Sequence, residues 1–417
     1  MEHINITGGY PLYGETDIHG AKNAVLPVLA ATILCDDECV IHNCPHLSDV
    51  ETTMEILCEL GCKVKREDKH ITVNSKNLTG NFIPHSLMTR MRSSIIFLGS
   101  ILARQKTAVV CFPGGCELGP RPIDLHIKAF RKLGVKVYEA HGFLHCDARD
   151  FSPTKIHLDF PSVGATENIM LLSCTSEGET TIINAAREPE IQDLQDFLNS
   201  MGAKVSGAGS SIIRIQGVDK LHSTEHSVIP DRIVASTYLS ACMCAGGKIL
   251  VNKVNPLHLQ AFVCMLDESG AKLDIYNSSI EISAPDKIKN INMIRTSPYP
   301  GFPTDSQSIA MSMLSMAEGT SLIKETIFEG RFRHASELMK MGADIRIEGD
   351  LAVIQGVSHL KGTDVYAKDL RSGAGLIVAA LGAEGESNIY NTHYIDRGYD
   401  SILETLKSLG AKSERKN

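Results

Sequence analysis

LGCKV at 60–64, LGVKV at 133–137, MGAKV at 201–205, SGAKL at 269–273, MGADI at 341–345 and LGAKS at 409–413 are six versions of one phrase. Gly comes second, a small or apolar residue third, and a charged residue fourth, at the head of a strand-like stretch. The glycines Gly61, Gly134, Gly202, Gly270, Gly342 and Gly410 stand 73, 68, 68, 72 and 68 residues apart. A fixed period of this kind marks a repeated supersecondary unit that buries its apolar face only against its neighbours.

Working outward from each phrase, the same order recurs. An apolar helix comes first: NAVLPVLAATIL, SSIIFLGSILAR, ENIMLLSCTS, RIVASTYLSACMC, SQSIAMSMLSMA and GAGLIVAALGA. Most end in a Gly turn (SEGET, CAGGK, AEGTS, AEGES) suited to a left-handed helix end. A short strand follows, such as TTIINA or KILVNK, then a loop and an amphipathic helix such as DLQDFLNSM. The Gly phrase stops that helix, and alternating strands such as SIIRIQGV close the unit. We therefore expect an α/β (α+β) chain: a two-lobed inside-out barrel, each lobe a pseudo-threefold repeat of a β-α-β-β-α cassette. The turn SVIPDR at 227–232 divides the third copy from the fourth. The expected lobes are 22–230, and 1–21 with 231–417, the opening strand closing the second ring.

Composition narrows the function classes. Of 417 residues 43% are hydrophobic and only 5% aromatic, with no Trp, so the cores must be aliphatic. The start MEHINITGGYPLYG has no basic segment followed by an apolar one, and the apolar runs at 24–35 and 375–383 are too short to span a bilayer. A cytoplasmic protein without a membrane partner is expected. Twelve cysteines are scattered without paired C-x-x-C units, and the Cys39/Cys44 and Cys58/Cys62 spacings are too loose for zinc, so reduced thiols and no metal are expected. The net charge of −8 and the lack of a basic stripe make nucleic acid a poor partner.

In a repeat, function shows as departure from the pattern. Lys22 with Asn23, Arg92, the SVGAT turn before Glu167, Asp231 with Arg232, Asp305, and Asp369 with Arg371 cluster at the starts of the apolar helices. Asp49, the segment from Cys116 to Arg121, Arg187, Glu329 with Arg331, and Arg397 gather in the loops after the strands. Asp is a good N-cap, which accounts for Asp231 and Asp369. Cations at helix starts oppose the dipole, so Lys22, Arg92 and Arg232 point instead to bound anions. A phosphorylated substrate is the simplest such anion.

PGGCELGPRPIDLH, residues 113–126, is the most unusual loop. Its glycines and prolines predict an exposed, movable segment, with Arg121 able to lower the Cys116 thiol pKa or hold an anion. Pro122 suits the first turn of a helix starting near Ile123. On chemistry alone Cys116 is a nucleophile, a redox sensor or a general acid. A thiol hydrolase with His126 or His46 as base is the natural rival.

Together GAKNA at 20–24, PGGC with RPID and His126, SVGAT at 162–166, AAREPEI at 185–191, the PDR turn, FPTD with Gln307, FE-RF-H at 328–334, DLR at 369–371 and IDRGY at 395–399 resemble the UDP-N-acetylglucosamine 1-carboxyvinyltransferases, of the enolpyruvyl transferase family. The resemblance runs in order through the whole chain. It implies two lobes with the active site between them, no metal or organic cofactor, and the step that commits precursors to bacterial peptidoglycan, and with it cell shape and division. It also implies roles. Lys22, Asn23, Arg121, Arg371 and Arg397 hold phosphoenolpyruvate; Cys116 is the acid at its methylene carbon and the target of fosfomycin; Asp305 takes the proton of the sugar 3-hydroxyl. Arg92, Arg121, Pro122, Ile123, Asp124, Leu125, Ser162, Val163, Asp305 and Ile327 line the UDP-N-acetylglucosamine site, and Asp49, Arg232, Glu329, Arg331 and Asp369 support the centre. Phe160 departs from members that carry Lys there, which bears on diphosphate binding. The shikimate-pathway enolpyruvyl transferase, a non-catalytic relative and a paralogue using another UDP-sugar are the alternatives.

Overall fold

The computed structural model describes residues 2–114 and 123–416. They fall into two compact units, residues 20–114 with 123–229, and residues 2–19 with 230–416. Each has its own aliphatic core.

In the 20–229 unit the Lys22–Ala31, Phe97–Gln105 and Val163–Ser173 helices pack on one another; in the other unit Arg232–Ala245, Gln307–Leu314 and Leu370–Gly382 do the same. These helices are buried on nearly every side. That is what an all-round apolar sequence requires, because no face of it is suited to water. The sheets surround them, with alternating burial along strands such as His70–Asn74 and Ile212–Gln216.

The described residues form six sheets, five of four strands and one of three. The sheet around Glu179–Ile183 is representative. That strand runs parallel to Lys155–His157, which precedes the Val163–Ser173 helix, and antiparallel to Ile212–Gln216, with Lys204–Ser206 outermost. The chain order is thus β-α-β-α-β-β, one strand more than the expected β-α-β-β-α cassette and in a different order. The physical reason lies in the Gly phrase. All six glycines have φ between 83° and 102°, a left-handed conformation that ends the amphipathic helix; in five copies the chain then enters a two-stranded hairpin, and in the sixth it enters Lys412–Lys416, which pairs with His3–Thr7. The additional strand joins in parallel through the apolar helix.

Two sheets are completed by residues remote in sequence. His3–Thr7 lies between Glu386–Tyr390 and Lys412–Lys416, antiparallel to both. Leu12–Asp17 pairs in parallel with Gly247–Asn252. Conversely, Glu225–Ser227, which precedes the Arg232–Ala245 helix in the chain, pairs in parallel with Glu38–His42 in the 20–229 unit. Where the chain passes between units, Ala21 N–H donates to Ile229 O (2.7 Å) and Asp231 N–H to His19 O (2.9 Å).

Candidate functional site

The 20–229 unit places its unusual residues at the starts of its apolar helices. Lys22 is the first residue of its helix, which has no side-chain cap. Its Nζ lies 2.6 Å from Asp49 Oδ2, with side-chain exposures of 10% and 4%. A cation here opposes the helix dipole and loses its water, so the adjacent carboxylate is what makes the position tenable. Asn23 is half-buried beside it.

Arg92 opens a 3₁₀ turn at Arg92–Ile96, before the α-helix proper, and its Nη1 donates to Pro113 O. Ile123 is buried, Asp124 starts the Asp124–Lys132 helix, and Leu125 packs against the core. Ser162 caps the Val163–Ser173 helix, its Oγ accepting from Ala165 N–H, and Val163 also touches the core. Phe160 stands exposed just before this turn. Cys116, Arg121 and Pro122 lie outside the described residues.

Asn168 ties these segments together. Its Nδ2 donates to Ile95 O (3.1 Å), Gly164 O (3.3 Å) and His126 Nδ1 (2.9 Å), and its Oδ1 accepts from Gly99 N–H (2.7 Å). Because an amide nitrogen only donates, His126 Nδ1 must be the acceptor and its proton sits on Nε2. Burial, then the charge of Arg92, push the imidazole pKa down to about 3. Gly164 is required by this packing, since a Cβ there would lie 3.1 Å from His126 Cε1. Glu167, one position before Asn168, is fully buried, and desolvation, then Glu190 and Glu188, raise its pKa well above the carboxylate range.

These facts weigh against the thiol-hydrolase alternative. A histidine held neutral with its Nδ1 occupied by an amide is a weak base and lacks the orienting carboxylate of a triad. His46 does approach a carboxylate, Asp68, but at 3.5 Å on an exposed surface.

The other unit concentrates its charges on Asp305, in the 3₁₀ turn Thr304–Ser306. Arg331 Nη2 donates to Asp305 Oδ1 at 2.8 Å and Arg371 Nη2 to Oδ2 at 3.2 Å. Both guanidinium side chains are almost fully buried, while the Asp305 side chain keeps 29% exposure. Arg331 also donates through Nε and Nη2 to Thr304 O (3.2 and 3.1 Å), fixing the turn that carries Asp305. The arrangement holds a partly accessible carboxylate in a fixed position between two buried guanidinium groups, in a setting that also favours an anionic substrate.

Asp231 and Asp369 are both N-caps, accepting from Ile233 and Val234 N–H and from Arg371 and Ser372 N–H respectively. Arg232 lies over the Tyr299 ring at 5.6 Å. Ile327 and Glu329 lie in the turn that leads to Arg331, half-buried and exposed, and Arg397 ends the Thr392–Arg397 turn, half-buried. The structure thus joins Asp305 with Arg331 and Arg371, and Lys22 with Asp49. It also shows contributors the sequence reading passed over: Asn168, Glu325 and Thr304. A polar residue inside an apolar helix, as in ENIMLL, is the signal that could have found Asn168. Among the described residues no three His, Cys, Asp or Glu side chains are placed to hold a metal ion, and no helix is long and apolar enough to cross a membrane.

Residues 6–406 match the family model of EPSP synthase (3-phosphoshikimate 1-carboxyvinyltransferase). Among curated proteins, the chain is 51% identical over 411 residues, 99% of both chains, to UDP-N-acetylglucosamine 1-carboxyvinyltransferase 2 of Caldanaerobacter subterraneus subsp. tengcongensis. It is 46% identical over 420 residues to UDP-N-acetylglucosamine 1-carboxyvinyltransferase 1 of Symbiobacterium thermophilum, covering 99% of this chain and 95% of the relative. Among solved structures, the enolpyruvyl transferase NikO from Streptomyces tendae superposes with a TM-score of 0.89 at 24% identity, over 99% of this chain and 98% of that one. An EPSP synthase from Acinetobacter baumannii gives 0.76 at 17% identity over the full length of both. These two share the fold. The family model and the full-length identity to its curated members show that this chain belongs to the enolpyruvyl transferases of the EPSP synthase family, in the branch of the UDP-N-acetylglucosamine 1-carboxyvinyltransferases.

Proposed function

We propose that this chain transfers the enolpyruvyl group of phosphoenolpyruvate to the 3-hydroxyl of UDP-N-acetylglucosamine and releases phosphate. The observation that carries the reading is the identity of 44–51% with four curated relatives of that name, sustained over nearly the whole chain. The Asp305–Arg331–Arg371 cluster supports it chemically.

In this reading Cys116 gives a proton to the methylene carbon of phosphoenolpyruvate, leaving cationic character at C2. The sugar 3-hydroxyl adds to C2 and its proton passes to Asp305, giving a tetrahedral ketal. The Cys116 thiolate left by the first step takes a proton from the new methyl group as phosphate departs, which restores the double bond and the thiol. Lys22, Asn23, Arg121, Arg371 and Arg397 bind the phosphate and carboxylate of the donor, so that charge is stabilised by groups already in place. Arg92, Ile123, Asp124, Leu125, Ser162, Val163 and Ile327 contact the nucleotide sugar. No step calls for a metal or organic cofactor. A cytoplasmic role in peptidoglycan precursor synthesis and alkylation of Cys116 by fosfomycin follow from the same assignment.

The description of the matching family model favours a second reading, with shikimate 3-phosphate as acceptor. One assay separates the two. Purified protein is given phosphoenolpyruvate with either acceptor and phosphate is measured. Release with UDP-N-acetylglucosamine alone is expected; release only with shikimate 3-phosphate, or with neither, overturns the proposal.

A further inference from the structure

We propose that Glu325 is a positioning residue for the reaction, acting on Asp305 through Thr304. The inference rests on the reading of Asp305 as the proton acceptor.

Glu325 follows the Thr320–Lys324 strand, and its carboxyl group is buried at 4% exposure. Four neutral donors converge on it. Oε1 accepts from Thr296 Oγ1 (2.9 Å), Ile327 N–H (2.8 Å) and Phe328 N–H (3.2 Å), and Oε2 accepts from Thr304 Oγ1 (2.9 Å). A buried carboxylate is tolerated only when its lone pairs are satisfied, and here both oxygens are used. Four hydrogen bonds converging on one buried side chain fix the backbone around them.

What they fix is the Asp305 cluster. Thr304 precedes Asp305, and its carbonyl receives Nε and Nη2 of Arg331. Arg331 ends the segment that Glu325 begins, and it also reaches Asp305 Oδ1. The segment is therefore anchored to the Thr304–Asp305 turn at both ends, by the Glu325 carboxylate and by the Arg331 guanidinium. Thr296 braces it from behind, its Oγ1 accepting from Thr326 N–H (2.9 Å) and its carbonyl from Thr326 Oγ1 (2.6 Å). The same carboxylate oxygen that holds Ile327 and Phe328 places the backbone beside the nucleotide-sugar contact. One residue thereby sets the proton acceptor and part of the acceptor-substrate wall against each other.

The test is a mutant cycle with kcat and KM measured separately. Glu325→Gln keeps the shape and an Oε1 for Ile327 and Phe328, but reverses and weakens the bond at Thr304, whose hydroxyl must now accept from the amide. Thr304→Val cuts the link while leaving Glu325 intact. Each is expected to lower kcat about 10-fold, the lower end for a bond to a charged group, with KM for UDP-N-acetylglucosamine within about threefold. Added to Asp305→Asn, neither should slow the enzyme further by more than about twofold, because groups acting as a unit are not additive. Retention of wild-type kcat by both variants while Asp305→Asn is inactive overturns the role of Glu325 alone. So do losses that multiply fully with that of Asp305→Asn, which would show a structural residue independent of Asp305. Wild-type turnover by Asp305→Asn sinks the Asp305 assignment and this inference with it.

Discussion

The buried His126 makes a quantitative prediction about pH. In the folded chain its pKa is pushed down to about 3 from the ordinary 6.5, by burial and then by Arg92. The unfolded chain takes up a proton near pH 6.5 and the folded chain does not, so protons favour the unfolded state. The stability that neutral His126 contributes is present above pH 6.5 and is lost as pH falls toward 3. Each pH unit in that window removes about 1.4 kcal/mol, so the loss at pH 5 is roughly 2 kcal/mol and at pH 7 only about 0.2 kcal/mol. That is a sizeable part of the 5–15 kcal/mol typical of a domain. His126→Gln removes the titration and keeps an oxygen to accept from Asn168. The variant should start less stable at pH 7, since the packing against Gly164 is lost, but its stability should depend less on pH. Urea unfolding by circular dichroism at pH 7 and pH 5 measures the gap between the two proteins. The gap should move by about 2 kcal/mol in favour of the variant, a midpoint change of about 0.7 M or more at ordinary urea slopes. A gap unchanged to within about 0.5 kcal/mol refutes the reasoning, as does a ¹⁵N spectrum showing His126 protonated at pH 5.

Glu167 works in the opposite sense. Its folded pKa is raised by desolvation, then by Glu190 and Glu188, so its contribution is fully present below the ordinary glutamate range near 4.5 and declines as pH rises; Glu167→Gln should gain thermal stability over the wild type between pH 5 and pH 7.5, and equal melting shifts at both would disprove it. Cys116→Ala should abolish phosphate release with an unchanged circular dichroism spectrum, and full activity would remove the acid role. Asp305→Asn should bind UDP-N-acetylglucosamine with wild-type affinity by calorimetry and lose turnover about 100-fold or more, in the usual range for a general base; loss of binding alone would reassign Asp305 to affinity.

The repeat was legible because its cause is local. A helix that must stop and turn back needs a left-handed residue, and Gly supplies it at little cost, so six phrases reported six helix ends, five of them leading into hairpins and the sixth into the Lys412–Lys416 strand. The apolar helices were legible for the same reason, down to their Asp caps at Asp231 and Asp369. Pairing between remote strands was not. Nothing in EHS at 225–227 or LYGETD at 12–17 says which sheet each joins, since partners are chosen by what lies in reach after the helices have packed. The charged ends of the site stood out as departures from the repeat. Glu325 did not, because a polar residue after a strand looks like an ordinary loop start. Its importance comes from four donors, two hydroxyls far away in sequence and two backbone amides, which a residue-by-residue reading does not see.

The His3–Thr7 strand has a consequence for how the protein is made. It is made before the 20–229 unit, yet its partners are Glu386–Tyr390 and Lys412–Lys416, which are made after it. At the usual 5–20 residues per second the wait is on the order of 20 to 80 seconds. During that time residues 20–229 are complete and able to collapse, while an apolar strand with open edges trails from them. Unpaired edges of this kind are aggregation sites until covered. The nascent chain is therefore exposed to misassembly at residues 3–7 until their partners are made, and translation that slows after residue 229 prolongs the hazard without altering a single contact of the finished fold.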